Sequence, residues 1–388
     1  MSLSLRLHRG NKTEKQKNKR TDTVDRALVA IILSLLMFGL VMVFSASSAW
    51  AHYLQQDATY YFKRQLIWAV VGLASMAVVS NISYKVIYKY TNMLFMIAVA
   101  MIILVLIPGI GREANGARRW LGFGQMTFQP SEFAKLGLII YLARAIHRDP
   151  KSVTKLIGSK WNKGGFVQYV AIILIVAGIV ILEPHMSGAL VVVFTGMAVL
   201  FVAGFKMRYF VGLAFPAVPA AMALAIFSPY RLKRLEAFIN PFADKLGKNY
   251  QIIQSLYAIG SGGIFGLGLG QSRQKFLYIP EPQNDFIYSI LCEELGFVGA
   301  VFLLLLFALL IWKGITISRK APDIFSSLTA AGITALVAIQ VLLNIAVVTS
   351  TIPNTGIPLP FFSYGGTSLW MLLTEMGVLL SISRHTSK

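Results

Sequence analysis

The stretch ALVAIILSLLMFGLVMVFSASS, residues 27–48, decides the fold class of this chain. It contains no charged residue, and a helix of about 20 apolar residues crosses the roughly 30 Å hydrocarbon layer of a bilayer. Similar windows recur almost to the C-terminus, so that 56% of the 388 residues are hydrophobic and only 13% are charged. These runs are continuously apolar, whereas the strands of a membrane barrel alternate. The sequence therefore predicts an all-α polytopic membrane protein with about ten transmembrane helices.

The predicted spans differ in length, and the eighth and ninth are long enough to tilt or to extend beyond the bilayer. The apolar spacing in NYQIIQSLYAIG, residues 249–260, also predicts a helix outside the spans. The predicted spans are 27–48, 65–82, 92–108, 132–147, 166–183, 187–205, 208–228, 285–313, 325–351 and 364–383.

Positive charge sets the predicted orientation of these spans. The first 26 residues carry eight Lys and Arg without apolar periodicity, so we predict a disordered basic tail that stays in the cytoplasm. With ten spans both termini are cytoplasmic, and 23 of the 36 Lys and Arg then lie on the inner side. The chain divides into the tail at 1–26, a membrane domain at 27–384 and a short cytoplasmic C-terminal tail at 385–388.

Lys and Arg are usually more frequent in cytoplasmic loops than in outer ones, so the cations on the predicted outer face are unexpected. They fall mainly in the loop that precedes residue 130 and in a large extracytoplasmic loop between the seventh and eighth helices, residues 228–284. Such clustering suggests an anionic ligand on the outer face. The alternative is that these cations contact lipid headgroups or solvent.

Ionisable residues in or near the spans are candidate functional residues because burying a charge in hydrocarbon is costly. In QPSEFAKL, Glu132 and Lys135 lie three apart on one helix face, either as a structural ion pair or as a functional one. Asp285 lies at the outer mouth of the eighth span, whereas Glu293 and Glu294 lie deeper. We interpret these two glutamates as structural polar residues that join helices through hydroxyl, amide or backbone donors.

The turn EPHMSG, residues 183–188, crosses the outer face between the fifth and sixth spans. We predict that His185 is a solvated turn residue, since no second histidine lies at the spacing of a metal site. Cys292 is the single cysteine, which argues against a cysteine-based metal site and leaves any metal unknown. The helix-breaking segment at 351–370 is expected to be buried in protein or to line a wet cavity.

Five blocks stand in collinear order between residues 115 and 369, within a match that runs from about residue 27 to 384: NGARRWL, QPSEFAKL, NYQIIQSLYAIGSGGIFGLGLGQSRQKFLYIPE, DFIYSILCEELGFVG and NTGIPLPFFSYGGTSL. They resemble the signatures of the SEDS family, the shape, elongation, division and sporulation proteins FtsW, RodA and SpoVE. The block SRQKFLYIPEPQNDFIY is more similar to FtsW and SpoVE than to RodA. The resemblance implies a ten-helix peptidoglycan glycosyltransferase that polymerises lipid II at the outer face of the cytoplasmic membrane for cell division or sporulation.

The resemblance also implies site residues. The catalytic aspartate of the family follows the Pro-Glu of YIPE by a few residues, a position that is Asp285 here. The glutamate and lysine of PSEFAKL are Glu132 and Lys135, which we predict to support the catalytic cavity. Family members commonly have Pro-Asp where this chain has Pro184 and His185. His185 therefore replaces an acid, which puts an essential carboxylate in this turn in doubt.

Lipid II carries a polyprenyl pyrophosphate, so a carboxylate at the outer mouth lies at the depth of its reacting bond. We hypothesise that Asp285 is the general base and that Lys135 holds it ionised. Preorganised cations stabilise a pyrophosphate leaving group, and a divalent cation, Mg²⁺ or Mn²⁺, is a candidate cofactor on its oxygens. The candidate pyrophosphate-binding residues are Arg118, Arg119, Arg273 and Lys275.

The expected partners are lipid II, a class B penicillin-binding protein with transpeptidase activity, other divisome proteins and membrane lipid, with no nucleic acid. Two alternatives remain open, a lipid II transporter and a non-catalytic scaffold for a penicillin-binding protein. Transporters often contain two related halves, which this sequence does not show convincingly, and Asp285 lies at the outer edge rather than at mid-bilayer. Both features favour an enzyme over a transporter.

Overall fold

The computed structural model describes residues 24–114, 117–123, 126–158, 164–226, 238 and 250–386. Within these ranges the chain forms eleven α-helices, a 3₁₀ helix at Pro150–Thr154 and one small sheet. The helices are α1 Arg26–Gln55, α2 Tyr60–Asn81, α3 Tyr84–Leu106, α4 Pro130–Arg148, α5 Phe166–Leu182, α6 Met186–Ala203, α7 Met207–Ile226, α8 Tyr250–Ser261, α9 Ile287–Lys320, α10 Ile324–Val348 and α11 Gly366–Ser383.

Each of the ten predicted spans coincides with one of the long helices, which confirms the helical polytopic fold. Among the described residues, seven helices are long and apolar enough to cross a membrane by length and composition alone. The predicted helix at 249–260 is also present, as α8. The predicted loop at 228–284 includes α8. Its residues before α8, except residue 238, lie outside the described residues, as does the predicted basic tail before residue 24.

A three-stranded antiparallel sheet between α3 and α4 was not predicted. Its strands are β1 Gly111–Ala114, β2 Ala117–Phe123 and β3 Met126–Phe128, in the order β1-β2-β3. β1 and β3 are too short to show a clear alternating pattern, and the seven residues of β2, ARRWLGF, do not alternate between apolar and polar. The sheet matters for function because β2 carries two of the predicted cations.

The start of α1 and the end of α11 meet at one end of the helix bundle. The Asp25 amide lies 3.5 Å from Ser383 Oγ, and Lys313 Nζ forms an ion pair with Asp25 Oδ2 at 3.0 Å. At the same end, Tyr84 donates to Asp323, the residue that caps α10, at 2.8 Å. We call this the inner end, because the basic residues predict that it faces the cytoplasm.

The long helix α9 is interrupted at Gly296, whose φ of 63° is left-handed. The interruption leaves backbone groups without partners within the helix, and the glycine-rich block GGIFGLGLG, residues 262–270, satisfies them. The amides of Phe297 and Val298 donate to the carbonyls of Gly263 and Ile264 at 2.9 and 3.1 Å. The glycine-rich block therefore packs directly against a helix, and the eighth span is broken rather than merely tilted.

Helices α10 and α11 form the centre of the bundle, where α11 packs against α2 and α10 packs against α4, α6 and α9. Small residues allow these close approaches, as in other membrane helix bundles. A Cβ added to Gly332 of α10 would lie 2.5 Å from Ile139 of α4. This packing brings the starts of α4, α6, α9 and α11 together at the end opposite to the inner end, which we call the outer end.

Candidate active site

Asp285 lies two residues before α9 and is fixed through the backbone around it. The side-chain amide of Asn344, near the end of α10, donates to the Asp285 carbonyl at 2.9 Å and to the Ile357 carbonyl at 2.7 Å. The Ser363 hydroxyl donates to the carbonyl of the preceding residue, Asn284, at 2.6 Å. Two connections of the outer end, the one before α9 and the one before α11, therefore hold Asp285 between them.

The Asp285 carboxylate itself is left open. It is half-buried, and it accepts no hydrogen bond from the residues that the structure describes. A Cβ added to Gly356 would lie 3.1 Å from Asp285 Oδ2, and the φ of Gly356 is left-handed at 65°. A glycine at this position thus keeps space free beside the carboxylate.

The surroundings of Asp285 raise the pKa of its carboxyl group toward neutral pH. Burial, together with the negative charge of Glu281, raises the pKa of Asp285 to about 6 against the opposing effect of Arg119. A carboxylate with a pKa near the working pH is suited to general base catalysis, because it is largely ionised and yet basic enough to accept a proton.

Arg119 connects the sheet to the turn between α5 and α6. Its guanidinium donates to the main-chain carbonyls of Glu183, at 3.3 Å, and of Pro184. The Ser187 hydroxyl of the same turn donates to the carbonyl of Thr355, the residue before Gly356. The turn is therefore part of the wall around Asp285.

The prediction that His185 is a solvated turn residue holds only in part, because its side chain is half-buried. Glu183 is fully buried, and neither of its carboxyl oxygens has a hydrogen-bond partner among the described residues. Burial raises the pKa of Glu183 to about 8, against the opposing effect of Arg119, so the carboxyl is mainly neutral at pH 7. His185 is half-buried, and burial together with Arg119 lowers its pKa to about 4.

Glu132 and Lys135 form a buried pair on the first turns of α4. Lys135 Nζ lies 2.8 Å from Glu132 Oε1, and Ser368 of α11 donates to Glu132 Oε2 at 3.3 Å. The predicted pairing of Lys135 with Asp285 is not seen, since no ion pair or hydrogen bond joins these two described residues. The helix geometry explains this, because Glu132 lies one turn away on the same face and reaches the ammonium first.

The predicted pyrophosphate-binding cations do not lie together: Arg118 and Arg273 are exposed, Arg119 contacts the turn between α5 and α6, and Lys275 is buried. Arg118 and Arg119 alternate on β2, so Arg118 points away from the turn and lies 3.5 Å from the exposed Glu113. Arg273 is exposed at the outer end. Of these three cations, only Arg119 appears among the charges that act on Asp285.

Lys275 requires a correction. Its ammonium is buried and forms an ion pair with Glu294 at 2.9 Å, and it also donates to the Gly270 carbonyl at 2.7 Å and to Ser45 of α1 at 3.3 Å. A cation held in this way has its donors engaged within the protein. We therefore withdraw Lys275 from the residues predicted to bind pyrophosphate.

Glu293 and Glu294 face the connection that leads to Asp285. Glu293 accepts hydrogen bonds from the Ser272 hydroxyl and from the Arg273 amide at 3.0 Å. Glu294 accepts from Ser45 at 2.6 and 2.7 Å as well as from Lys275. Their contacts are with hydroxyl, backbone and ammonium donors of the protein.

The sequence of residues 26–388 matches the model of the cell cycle protein family of FtsW, RodA and SpoVE. Stage V sporulation protein E of Bacillus subtilis strain 168 is 46% identical over 362 residues, which are 93% of this chain and 97% of that protein. A probable peptidoglycan glycosyltransferase FtsW of Trichlorobacter lovleyi is 40% identical over 368 residues, 95% of each chain.

The chain belongs to the SEDS family of FtsW, RodA and SpoVE.

Solved structures agree with this SEDS assignment. A chain of the structure "Structural coordination of polymerization and crosslinking by a peptidoglycan synthase complex" has a TM-score of 0.77 and 31% identity, and the match covers 94% of this chain and 99% of that one. The rod shape determining protein RodA of Thermus thermophilus has a TM-score of 0.69 and 29% identity, with 94% and 98% coverage. This SEDS protein is therefore a multi-pass protein of the bacterial cytoplasmic membrane, as predicted.

The described residues of this SEDS protein supply no resident metal site. No group of three or more His, Cys, Asp and Glu side chains among the described residues has the geometry to hold a metal ion. Mg²⁺ is commonly held by one or two carboxylates together with phosphate oxygens, so a bound pyrophosphate would supply ligands that the described residues do not.

Sequence reasoning missed two polar residues inside helices of the SEDS bundle. Glu375 of α11 is buried within electrostatic range of Lys135 and Glu132, and Asn344 of α10 holds the backbone of Asp285. Both were visible as isolated polar residues in apolar spans, the signal that marks functional or structural sites in membrane helices.

Proposed function

We propose that this SEDS protein, a peptidoglycan glycosyltransferase of division or sporulation, polymerises lipid II at the outer face of the membrane with Asp285 as the general base. The observation that carries the proposal is the open carboxylate of Asp285 at the outer end of the bundle, beside Gly356 and within the field of Arg119. Relatives of this chain are named probable peptidoglycan glycosyltransferase, which supports the reaction type.

In the proposed reaction, the acceptor sugar hydroxyl attacks the anomeric carbon of the donor. Asp285 takes the hydroxyl proton while the new glycosidic bond forms, and the bond from the anomeric carbon to the pyrophosphate oxygen breaks with inversion. The polyprenyl pyrophosphate leaves with the electron pair, and it needs no protonation because it is a stable anion. The enzyme therefore needs one base and stabilisation of the growing negative charge.

Arg119 is the cation best placed for this stabilisation. Its charge acts on Asp285, and its two carbonyl contacts hold the guanidinium in place before substrate binds. Preorganised charge of this kind lowers a barrier more than a mobile surface cation does. We propose that the exposed Arg118 and Arg273 contribute long-range attraction for an anionic substrate.

Replacing Arg119 by Gln is expected to lower kcat/KM for glycan polymerisation about 100-fold, the lower range for loss of one preorganised donor. Arg118→Gln is the matched control on the neighbouring residue of β2 and should change kcat/KM severalfold at most, since its side chain is exposed. Arg119→Lys should recover part of the activity, because it restores the charge without both carbonyl contacts. Equal losses in Arg118→Gln and Arg119→Gln would refute the separate role of Arg119.

The fall in kcat/KM at acidic pH should reflect protonation of Asp285. Since its pKa is about 6, kcat/KM should rise with pH through a midpoint near this value. Glu281→Gln removes a negative charge that raises the Asp285 pKa, so the midpoint should move to lower pH. The exposed Glu113 is the control, and Glu113→Gln should leave the midpoint unchanged. An unchanged or higher midpoint in Glu281→Gln would contradict the assignment of this fall to Asp285.

We propose a class B penicillin-binding protein as the partner that crosslinks the strands, together with other divisome proteins and membrane lipid. The solved synthase complex that resembles this chain coordinates polymerisation and crosslinking, which supports such a partner. A divalent cation, Mg²⁺ or Mn²⁺, is proposed only as a ligand of the substrate pyrophosphate, since the described residues supply no resident site.

The test is a polymerisation assay with purified protein, lipid II and Mg²⁺ or Mn²⁺, with and without the class B partner. Glycan strands from the wild-type protein would support the enzyme. If no strands form even with the partner, transport becomes the leading function, and vesicles that flip lipid II without polymerising it would establish that alternative.

A further inference from the structure

A cavity of about 920 Å³ lies at the inner end, between α4, α6, α9 and α10. We call it the inner-end cavity. Its lining includes Ile146, Val202, Ile311, Ile315 and Ala335. Its size is near the upper end of the range, about 300 to 1,000 Å³, in which proteins hold small molecules. Asp285 and the other residues of the candidate active site do not line it.

The cavity arises from how α9 and α10 separate. Gly314 allows the two helices to touch, since a Cβ there would overlap the hydroxyl of Thr334. Beyond this contact the α10 wall carries Ala331, Ala335 and Ala338 at helical spacing, and these short side chains do not refill the gap. The space is therefore built into the packing of the bundle.

The hydroxyl groups of Ser318 and Thr334, in the cavity walls, are already used in hydrogen bonds to the backbone. Ser318 donates its hydroxyl to the Ser327 carbonyl at 2.9 Å, and Thr334 donates to the Ala330 carbonyl at 2.7 Å. With these donors turned onto the backbone, water in the cavity would find few partners. The natural occupant of such a space within a membrane is a hydrocarbon chain.

One cation marks the mouth of the cavity. Arg319 lines it near the end of α9, is exposed, and forms no ion pair or hydrogen bond with any residue in the described ranges. Asp323 also lines the cavity, but its carboxylate caps α10 and accepts from Tyr84. The mouth therefore presents a positive charge beside an apolar interior.

We propose that the inner-end cavity binds an anionic phospholipid of the inner leaflet, with an acyl chain between α9 and α10 and the phosphate at Arg319. Basic residues at the cytoplasmic ends of membrane helices attract anionic headgroups, and here the cation adjoins a space that accepts the chain. The site lies at the opposite end of the bundle from Asp285, so the proposal is independent of the proposed reaction.

The experiment is native mass spectrometry of the full chain released from nanodiscs of equal parts phosphatidylglycerol and phosphatidylcholine. Wild-type protein should retain phosphatidylglycerol about fivefold over phosphatidylcholine. Arg319→Gln should abolish this preference, whereas Lys206→Gln, which removes an exposed cation between α6 and α7 at the same end, should preserve it. Ala335→Leu fills the cavity and should reduce retention of both lipids.

Equal retention of the two lipids by the wild type would overturn the proposal, as would an equal loss of preference in Lys206→Gln. Capture of a second protein chain in place of lipid, seen as a dimer mass that Ala335→Leu removes, would also overturn it. Because Ala335→Leu alters a packed helix, its thermal unfolding is compared with that of the wild type. Arg319→Gln changes only an exposed side chain, so the result for this variant does not depend on the thermal unfolding control.

Discussion

Replacing Asp285 by Asn is expected to lower the rate of glycan polymerisation about 1,000-fold or more, because an amide cannot accept the hydroxyl proton. The fold should survive, since the structural bonds around this residue use its backbone: Asn344 donates to its carbonyl, and no described residue bonds its carboxylate. The measurement is the rate of glycan strand formation from lipid II, with thermal unfolding of the same preparation as the test of integrity.

Asp57→Asn is the matched control for this substitution. Asp57 is another carboxylate outside the helices, paired with Lys63 at 3.0 Å between α1 and α2, and it has no predicted role in the reaction. Its variant should polymerise lipid II at nearly the wild-type rate. A folded Asp285→Asn protein that polymerises as fast as Asp57→Asn would refute the general base and would favour the scaffold alternative.

Replacing Lys275 by Met is expected to lower the free energy of unfolding by about 3–5 kcal/mol, the cost of leaving one partner of a buried ion pair without the other. Lys275 and Glu294 are both buried, and the pair lies against Ser45 of α1. Its loss should weaken the attachment of the connection before α9 to the bundle. The free energy is measured by titrating purified protein in mild detergent with sodium dodecyl sulfate and following tryptophan fluorescence.

Two further variants test the cause of this loss. The double variant Lys275→Met with Glu294→Gln removes both charges, so it should recover at least half of the lost stability. Arg273→Gln changes an exposed cation in the same connection and should leave stability within about 0.5 kcal/mol. If Lys275→Met is as stable as Arg273→Gln, the ammonium is not held in a stabilising pair, and Lys275 is again a candidate for binding pyrophosphate.

The membrane helices could be predicted from the sequence because hydrocarbon imposes a local rule. A stretch such as 27–48 must satisfy its own backbone hydrogen bonds in lipid, and a helix is the single-segment structure that does so. The short strands of the sheet were not predictable, because pairing between neighbouring strands rather than composition stabilises them. The break at Gly296 was equally hidden, since it depends on a loop that supplies the missing partners.

The candidate site divides in the same way. Sequence motifs identified Asp285, Glu132 and Lys135 as residues of interest, but they could not show which charges meet. Lys135 pairs with Glu132 within one helix, and Arg119 is the cation whose field acts on Asp285. The contacts of Arg119 join β2 to the turn before α6, two segments about 64 residues apart, and no local pattern records such a meeting.

The sequence by itself determined that this chain is a polytopic helical membrane protein of the SEDS family, because hydropathy and collinear motifs are properties of the linear chain. Tertiary structure alone decided that Lys275 is engaged in a buried pair, that Glu183 is buried without a hydrogen-bond partner among the described residues, and that a cavity remains at the inner end. The physical reason is that the environment of a charge depends on which helix faces pack together, and distant parts of the chain set that packing.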